Sequence, residues 1–380
     1  MEFRFTGEQE MTCKLAQDFA VEEVLPLARE VDEKNYCPVE ILKKMAGSGF
    51  NGVFVPQEYG GTGLGYVERA IVLEEMARCS AGIAMTLMTH HLGVASILQF
   101  GSEAQKQKYL PGLSSGNLIG GLAVTEPGGG SDVTGHQTTA TREDGSWVLD
   151  GRKCFITNSH IADVVVITAR TGQDEKGRPS LSAFIVEKGT PGFAPGREEN
   201  KTGMHGSVTG ELVLKDCRIS EDALLGKEGH GQKIALAIIS EVGRAGMSAI
   251  SLGLLRAAIE ESVRFARERI IYGKPLANIQ AIQFAVAETV IEYEAAKLLT
   301  YRAVTLKDGG QRCDSEMAQA KYFATEAAVR AAKRTIDLMG GYGLLAEYPA
   351  ERLLRDAMTT LPSAGTSNIM KIVVAANTLR

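Results

Sequence analysis

Cysteine is sparse in this chain of 380 residues: six are spread from Cys13 to Cys313, none in a CxxC pair and none beside a histidine at metal-ligand spacing. That speaks against a disulfide scaffold or a zinc module and for thiols in a reducing compartment. Excess positive charge is lacking too. Lys+Arg 41 against Asp+Glu 46 gives a net charge of -5 with no basic block, which removes the electrostatic case for nucleic acid. The start, MEFRFTGEQEM, has no apolar run behind a basic segment, so no targeting segment is expected. The longer apolar stretches read as interrupted by Glu, Arg or Gly before they could span a bilayer. A cytoplasmic location is the expectation. What is present, 44% hydrophobic and 23% charged residues, is a globular composition, and the length asks for two or three domains.

Periodicity divides the chain into residues 1–116, 117–228 and 229–380. The first part is helical. Thr6 with Gln9 forms a capping-box pattern, Pro38 opens a second helix closed by Gly47 and Gly49, and helical runs cover about 66–79, 82–100 and 102–111. The glycine-rich stretch Tyr59–Gly65 between them lacks GxGxxG spacing and a leading strand, so it reads as a surface turn. The middle part carries β-branched runs at Asp163–Ala169 and Leu181–Val186, with a hairpin signal at Asp150-Gly151. It reads as a small antiparallel β-domain. The last part is helical again, with long helices to about Arg267, after Pro275 and over 314–339, of the kind that pack as a bundle.

No triad or metal cluster announces itself. Three consecutive glycines in Thr125-Glu126-Pro127-Gly128-Gly129-Gly130-Ser131-Asp132 expose backbone N–H groups between hydroxyls, which suits a phosphate or a polar ring edge. Asp337-Leu338-Met339-Gly340-Gly341-Tyr342-Gly343 ends a long helix on glycines that permit close backbone approach. With Glu347, Arg352 and Asp356 behind the second segment, and with Tyr59-Gly60-Gly61, Phe155-Ile156-Thr157-Asn158, Arg269, Tyr272-Gly273, Gln280 and Gly365-Thr366-Ser367 in order, the chain resembles the acyl-CoA dehydrogenase family over nearly its whole length.

The resemblance implies an α+β fold with an N-terminal α-helical domain, a middle β-domain and a C-terminal four-helix bundle. It also implies FAD, a homotetramer, an acyl-CoA substrate and an electron-transfer flavoprotein as partner. By the same resemblance, Val124, Thr125 and Thr157 line the flavin, Phe155 shields one of its faces, and Ser131 touches an FAD phosphate and borders the substrate. Arg269 and Gln280 reach FAD across a subunit boundary, and Asp337, Gly340, Gly341, Thr366 and Asn368 complete the nucleotide site. Arg244 lies near the active centre and Glu241 holds the pantetheine arm. Two other classes use or share such a site: a flavin monooxygenase, and a non-catalytic thioester-binding flavoprotein.

The pattern breaks at the base. Members of the family take the α-proton with a glutamate directly before Gly-Thr, where this chain has Ala364, or with one directly before the Arg of the first long helix, where it has Gly243. Neither can accept a proton. Glu241 is two helical residues away and is expected to face elsewhere. The segment 81–100 contains no acid, and its polar residues include Thr86, Thr89 and the pair His90 and His91. Of these His91 is the expected replacement base, with the backbone N–H of Ala364 left to stabilise an enolate. A substrate lacking the ordinary α-proton, such as a cyclohexane- or cyclohexene-carboxyl-CoA, would suit that arrangement.

Overall fold

The computed structural model describes residues 4–132, 135–173, 175 and 177–379. Helix α1 (Gly7–Phe19) starts where expected: the Gln9 backbone N–H donates to the Thr6 hydroxyl and the Thr6 N–H to the Gln9 side chain. A π-turn at Ala20–Val24 and a 3-10 turn around Pro26 lead into α2 (Ala28–Lys34), and α3 (Val39–Gly47) follows Pro38. Then come α4 (Tyr66–Cys79), α5 (Ala81–Phe100) and α6 (Glu103–Ser114).

Helix α4 is enclosed by α1, α5, α8 (Arg244–Glu268) and α9 (Gln280–Asp308), and twelve of its fourteen residues are buried. Its sequence therefore shows no clean apolar stripe, and its charges need internal partners. Glu74 accepts from the hydroxyls of Tyr293 and Tyr301, 2.8 Å each, and Glu75 pairs with Arg256 and Arg78. The amides of Tyr66 and Val67 donate to the Asp308 carboxylate at 2.7 and 3.0 Å, so the end of α9 caps the start of α4.

The expectation that every apolar stretch is cut short fails at α5. Its 20 residues carry no charged side chain and are long and apolar enough to cross a membrane, as is the continuous helical run Gly231–Glu268, yet both lie mostly buried among other helices. Apolar length here serves a protein core.

The middle segment holds β1 (Gly120–Ala123), β2 (Thr139–Glu143), β3 (Ser146–Thr157), β4 (Val164–Gln173), β5 (Pro179–Glu187), β6 (Phe193–Glu198), β7 (Thr209–Ser220) and β8 (Leu224–Leu225). They form one sheet in the order β6-β7-β3-β2-β4-β5-β8, with β1 parallel to β4 and most other pairs antiparallel. The hairpin lies at Asp144-Gly145, both at positive φ, and not at Asp150-Gly151. The latter is a shift in the β3–β7 register inside a long strand: Asp-Gly marks a bulge as readily as a turn.

Helix α7 (Gly231–Ile238) continues through a π-turn, Ile239–Gly243, into α8. A short ribbon, β9 (Ile270–Ile271) with β10 (Lys274–Pro275), precedes α9. Helices α8, α9 and α10 (Asp314–Met339) pack on one another, and α11 (Ala350–Thr360) and α12 (Ser367–Thr378) pack on α10.

Two contacts carry the joints between these parts. Lys153 of β3 is fully buried and donates to Val124 O (3.0 Å) and to Glu126 (2.8 Å), tying the end of β1 to the middle of β3. Lys153→Ala removes the cation paired with buried Glu126, leaving its carboxylate to the backbone N–H groups of Gln137 and Thr138, and should destabilise the middle domain by about 3 kcal/mol, read as an earlier loss of β-structure on heating. Asp308→Ala removes the cap on α4 and should cost about 0.5–2 kcal/mol, read as a lower thermal midpoint with unchanged helix content at room temperature.

Candidate active site

The β-domain offers an open, mixed surface at the ends of β1 and β3. Val124 and Thr125 follow β1, and the Cys154 N–H donates to Thr125 O at 3.0 Å, so the two segments lie side by side. Phe155 stands at positive φ (56°) and is 65% exposed, an aromatic ring presented outward from a strand. Thr125 and Thr157 are half-buried near it, and Ser131 is exposed. A bare ring beside hydroxyls and free backbone edges is the chemistry a planar heteroaromatic group requires, so these residues fit the flavin that the sequence implies. Val133 and Thr134 lie outside the described residues.

The position of the missing base lies just before α12. Ala364 has φ 53° and Gly365 φ 104°, a left-handed turn just before the Thr366 hydroxyl caps α12 by accepting from Ile369 N–H. Buried Lys321 donates to Leu361 O at 2.7 Å and anchors that turn; burial pulls its ammonium down to about 8. Gly243 ends the π-turn before α8, a helical irregularity often found at functional sites. A Cβ built on Gly243 would lie 3.3 Å from the Ala364 Cβ and 3.7 Å from Leu92 Cδ2. The two positions from which a glutamate would come therefore face the same small space, and here it is walled by alanine, glycine and leucine.

His91 is not at this junction. The α5 side chain that reaches Gly243 is Leu92, and the neighbouring His91 is turned by about 100°. It is fully buried, with Nε2 2.8 Å from Phe50 O and Nδ1 accepting from Arg69 Nε at 3.2 Å. Both ring nitrogens are committed, and burial, then the Arg69 charge, hold its basicity well below that of a free imidazole. The expectation that His91 acts as the base is corrected on that geometry. His90 is no substitute: its Nδ1 accepts from Gly120 N–H at 3.0 Å, and burial pulls it down to about 4. Thr86 bonds Gly206 O, and Thr89 is buried.

Arg244 follows Gly243, is nearly buried, and donates to Ser240 Oγ at 2.8 Å; that hydroxyl in turn donates to Asp314. Glu241 pairs with Lys307, away from Gly243, as its helical offset predicts. The remaining nucleotide-site candidates form a separate group. Arg269 lies over the Tyr342 ring at 5.3 Å, next to Gly340 and Gly341, where an added Cβ would meet nothing within 4 Å. Gln280 starts α9, Asp337 pairs with Lys333, and all of these are exposed. Asn368 is exposed near the start of α12, whose Ser367 donates to Glu326 of α10. From Glu326 to Asp337 along α10 is about 16 Å, so in one chain the two groups are set apart.

Arg69 is the residue that sequence reading passed over. Nothing in YVERAIVLEEMARC separates a buried arginine from a solvated one, because the whole helix is enclosed.

Models of the acyl-CoA dehydrogenase N-terminal, middle and C-terminal domains match residues 6–117, 121–217 and 229–379. The chain is 42% identical over 371 residues to an acyl-CoA dehydrogenase of Bacillus subtilis, covering 97% of each. It superposes on butyryl-CoA dehydrogenase from Megasphaera elsdenii with a TM-score of 0.97 at 37% identity, covering 100% of both chains. The same values hold for a chain of the structure described as "Electron transferring flavoprotein of Acidaminococcus fermentans: Towards a mechanism of flavin-based electron bifurcation". The chain therefore belongs to the acyl-CoA dehydrogenase family of FAD-dependent oxidoreductases that act on CH–CH bonds.

Proposed function

We propose that this dehydrogenase acts on an acyl-CoA whose acidic hydrogen is not the ordinary α-proton of a saturated straight chain. A cyclic or already unsaturated acyl group of the cyclohexane- or cyclohexene-carboxyl type is the substrate class that fits. The observation that carries this reading is the Ala364–Gly243–Leu92 junction, where the two glutamate positions meet and neither holds a proton acceptor. A positioned general base contributes about 10²–10⁴-fold, so simple α,β-desaturation is the reaction this wall disfavours.

FAD, when bound, supplies the hydride acceptor; everything else falls to the chain. Val124, Thr125, Thr157 and Phe155 hold and shield the flavin, and Ser131 meets a phosphate and borders the substrate. The left-handed turn at Ala364 presents its N–H to the thioester oxygen, where developing enolate charge would be stabilised. Arg269, Gln280, Asp337, Gly340 and Gly341 serve FAD of a neighbouring subunit, a role their separation from the Ala364 turn supports, while Thr366 and Asn368 serve the nearer site. Exposed Phe284, Ile291 and Leu298, seven apart along α9, supply an apolar stripe for the subunit contacts of a homotetramer. An electron-transfer flavoprotein is the electron acceptor, a reading supported by the subject of one of the matched structures.

Anaerobic titration of the FAD-loaded protein with straight-chain, branched, cyclohexane- and cyclohexene-carboxyl-CoA, watched at the flavin absorbance, tests the reading. Bleaching by the cyclic thioesters and not by butyryl-CoA is expected; ready bleaching by butyryl-CoA would sink it. Ala364→Glu restores a carboxylate at a site whose left-handed backbone alanine already bears, and should raise the rate of bleaching by butyryl-CoA about 10²–10⁴-fold, measured by stopped flow.

A further inference from the structure

Ala364 carries a β-carbon in the left-handed region, at φ 53°, and Gly365 follows at φ 104°. A residue with a β-carbon keeps that conformation where its surroundings enforce it. The segment lies between the end of α11 and the start of α12, and α10 grips it on both sides. Before Ala364, the Lys321 ammonium donates to the carbonyl of Leu361, the C-cap of α11, at 2.7 Å. After it, the hydroxyl of Ser367, the first residue of α12, donates to the Glu326 carboxylate at 2.7 Å. Between the grips, Ser363 Oγ donates to Thr359 O at 2.9 Å and folds the turn back on α11.

Each grip matches the helix end it holds. The last carbonyls of a helix lack partners and carry partial negative charge, and its first N–H groups carry partial positive charge. Lys321 therefore sets a cation at the C-terminal end of α11, and Glu326 an anion at the N-terminal end of α12. Lys321 is fully buried, and among the described residues no carboxylate forms an ion pair with it. Burial weighs most on its ammonium, Glu326 favours the charged form, and Arg244 of α8 opposes it. A buried ammonium is costly, and an apolar side chain would fill the same space without that cost. The carbonyl of Leu361 is what the lysine serves. Lys321 and Glu326 stand five residues, about 7.5 Å, apart on one helix, so together they fix the span from Leu361 to Ser367.

We propose that Lys321 and Glu326 are positioning residues for the reaction: through Leu361 and Ser367 they hold the left-handed turn that presents the Ala364 N–H to the thioester oxygen. This rests on the reading of that N–H as the thioester's donor, and not on whether the acyl group is cyclic. Both side chains act through the backbone of the turn.

Infrared spectroscopy of butyryl-CoA labelled with carbon-13 at its carbonyl tests this. The protein's FAD is first reduced with dithionite, so that no thioester is oxidised, and the carbonyl stretch falls as an N–H donates to it. The wild type should lower the stretch relative to the free thioester. Lys321→Met should lose most of that lowering while keeping butyryl-CoA affinity within a few-fold. Glu326→Ala should do the same, and Glu326→Gln, which keeps an acceptor for Ser367, should restore it. In stopped flow with oxidised flavin and cyclohexanecarboxyl-CoA, Lys321→Met should cut the limiting bleaching rate about a hundredfold, the cost of a small misplacement, and leave the half-saturating concentration within a few-fold. A lowering that persists in both Lys321→Met and Glu326→Ala overturns the proposal, as does Glu326→Gln behaving like Glu326→Ala. Should Lys321→Met not fold, the two Glu326 variants decide, and the infrared result stands whichever thioester the flavin oxidises. A wild type that binds butyryl-CoA without any lowering would instead refute the role given to the Ala364 N–H, and failure to bind it would refute the acyl-CoA reading beneath.

Discussion

A helix enclosed on all sides sets the terms for the rest of this molecule. Helix α4 has almost no surface, yet it carries Glu68, Arg69, Glu74, Glu75 and Arg78. Each of those charges has to be met from inside. The two central glutamates are met by Tyr293, Tyr301, Arg256 and Arg78, and the helix start by Asp308. Those partners come mostly from α8 and α9, so the N-terminal domain is internally complete only when the C-terminal helices lie against it. Arg69 is the exception to this pairing: it meets His91 and the Phe54 ring in place of an acid.

The buried Lys153–Glu126 pair holds together the two segments that carry Val124, Thr125 and Phe155. The opposite wall has no acid or base. It consists of Ala364, Gly243 and Leu92, held by a π-turn on one side and a left-handed turn on the other.

Much of this was legible in the sequence. The Thr6 capping box, the Pro38 helix start and the extent of α10 carry strong local signals, and local signals are what periodicity and capping record. The absent base was legible too, because motif spacing fixes which residues occupy its two positions. Misreadings arose where a decision depended on packing. Asp150-Gly151 carries a turn signal but lies within a strand held by β7, and His91 looked available until its two nitrogens were found bonded to Phe50 and Arg69. Arg69 was invisible for the same reason: a fully enclosed helix has no polar face to make a buried charge stand out.

The cap that Asp308 places on α4 joins residues 242 positions apart in the chain. Because Tyr293 and Tyr301 arrive from the same α9, the first domain leaving the ribosome cannot settle its buried acids until about four-fifths of the chain has been made. Most domains fold as units in the order of synthesis, and contacts this distant in sequence delay closure. Until α8 and α9 are made, Glu74 and Glu75 lack the Tyr293, Tyr301 and Arg256 partners that meet them in the folded protein.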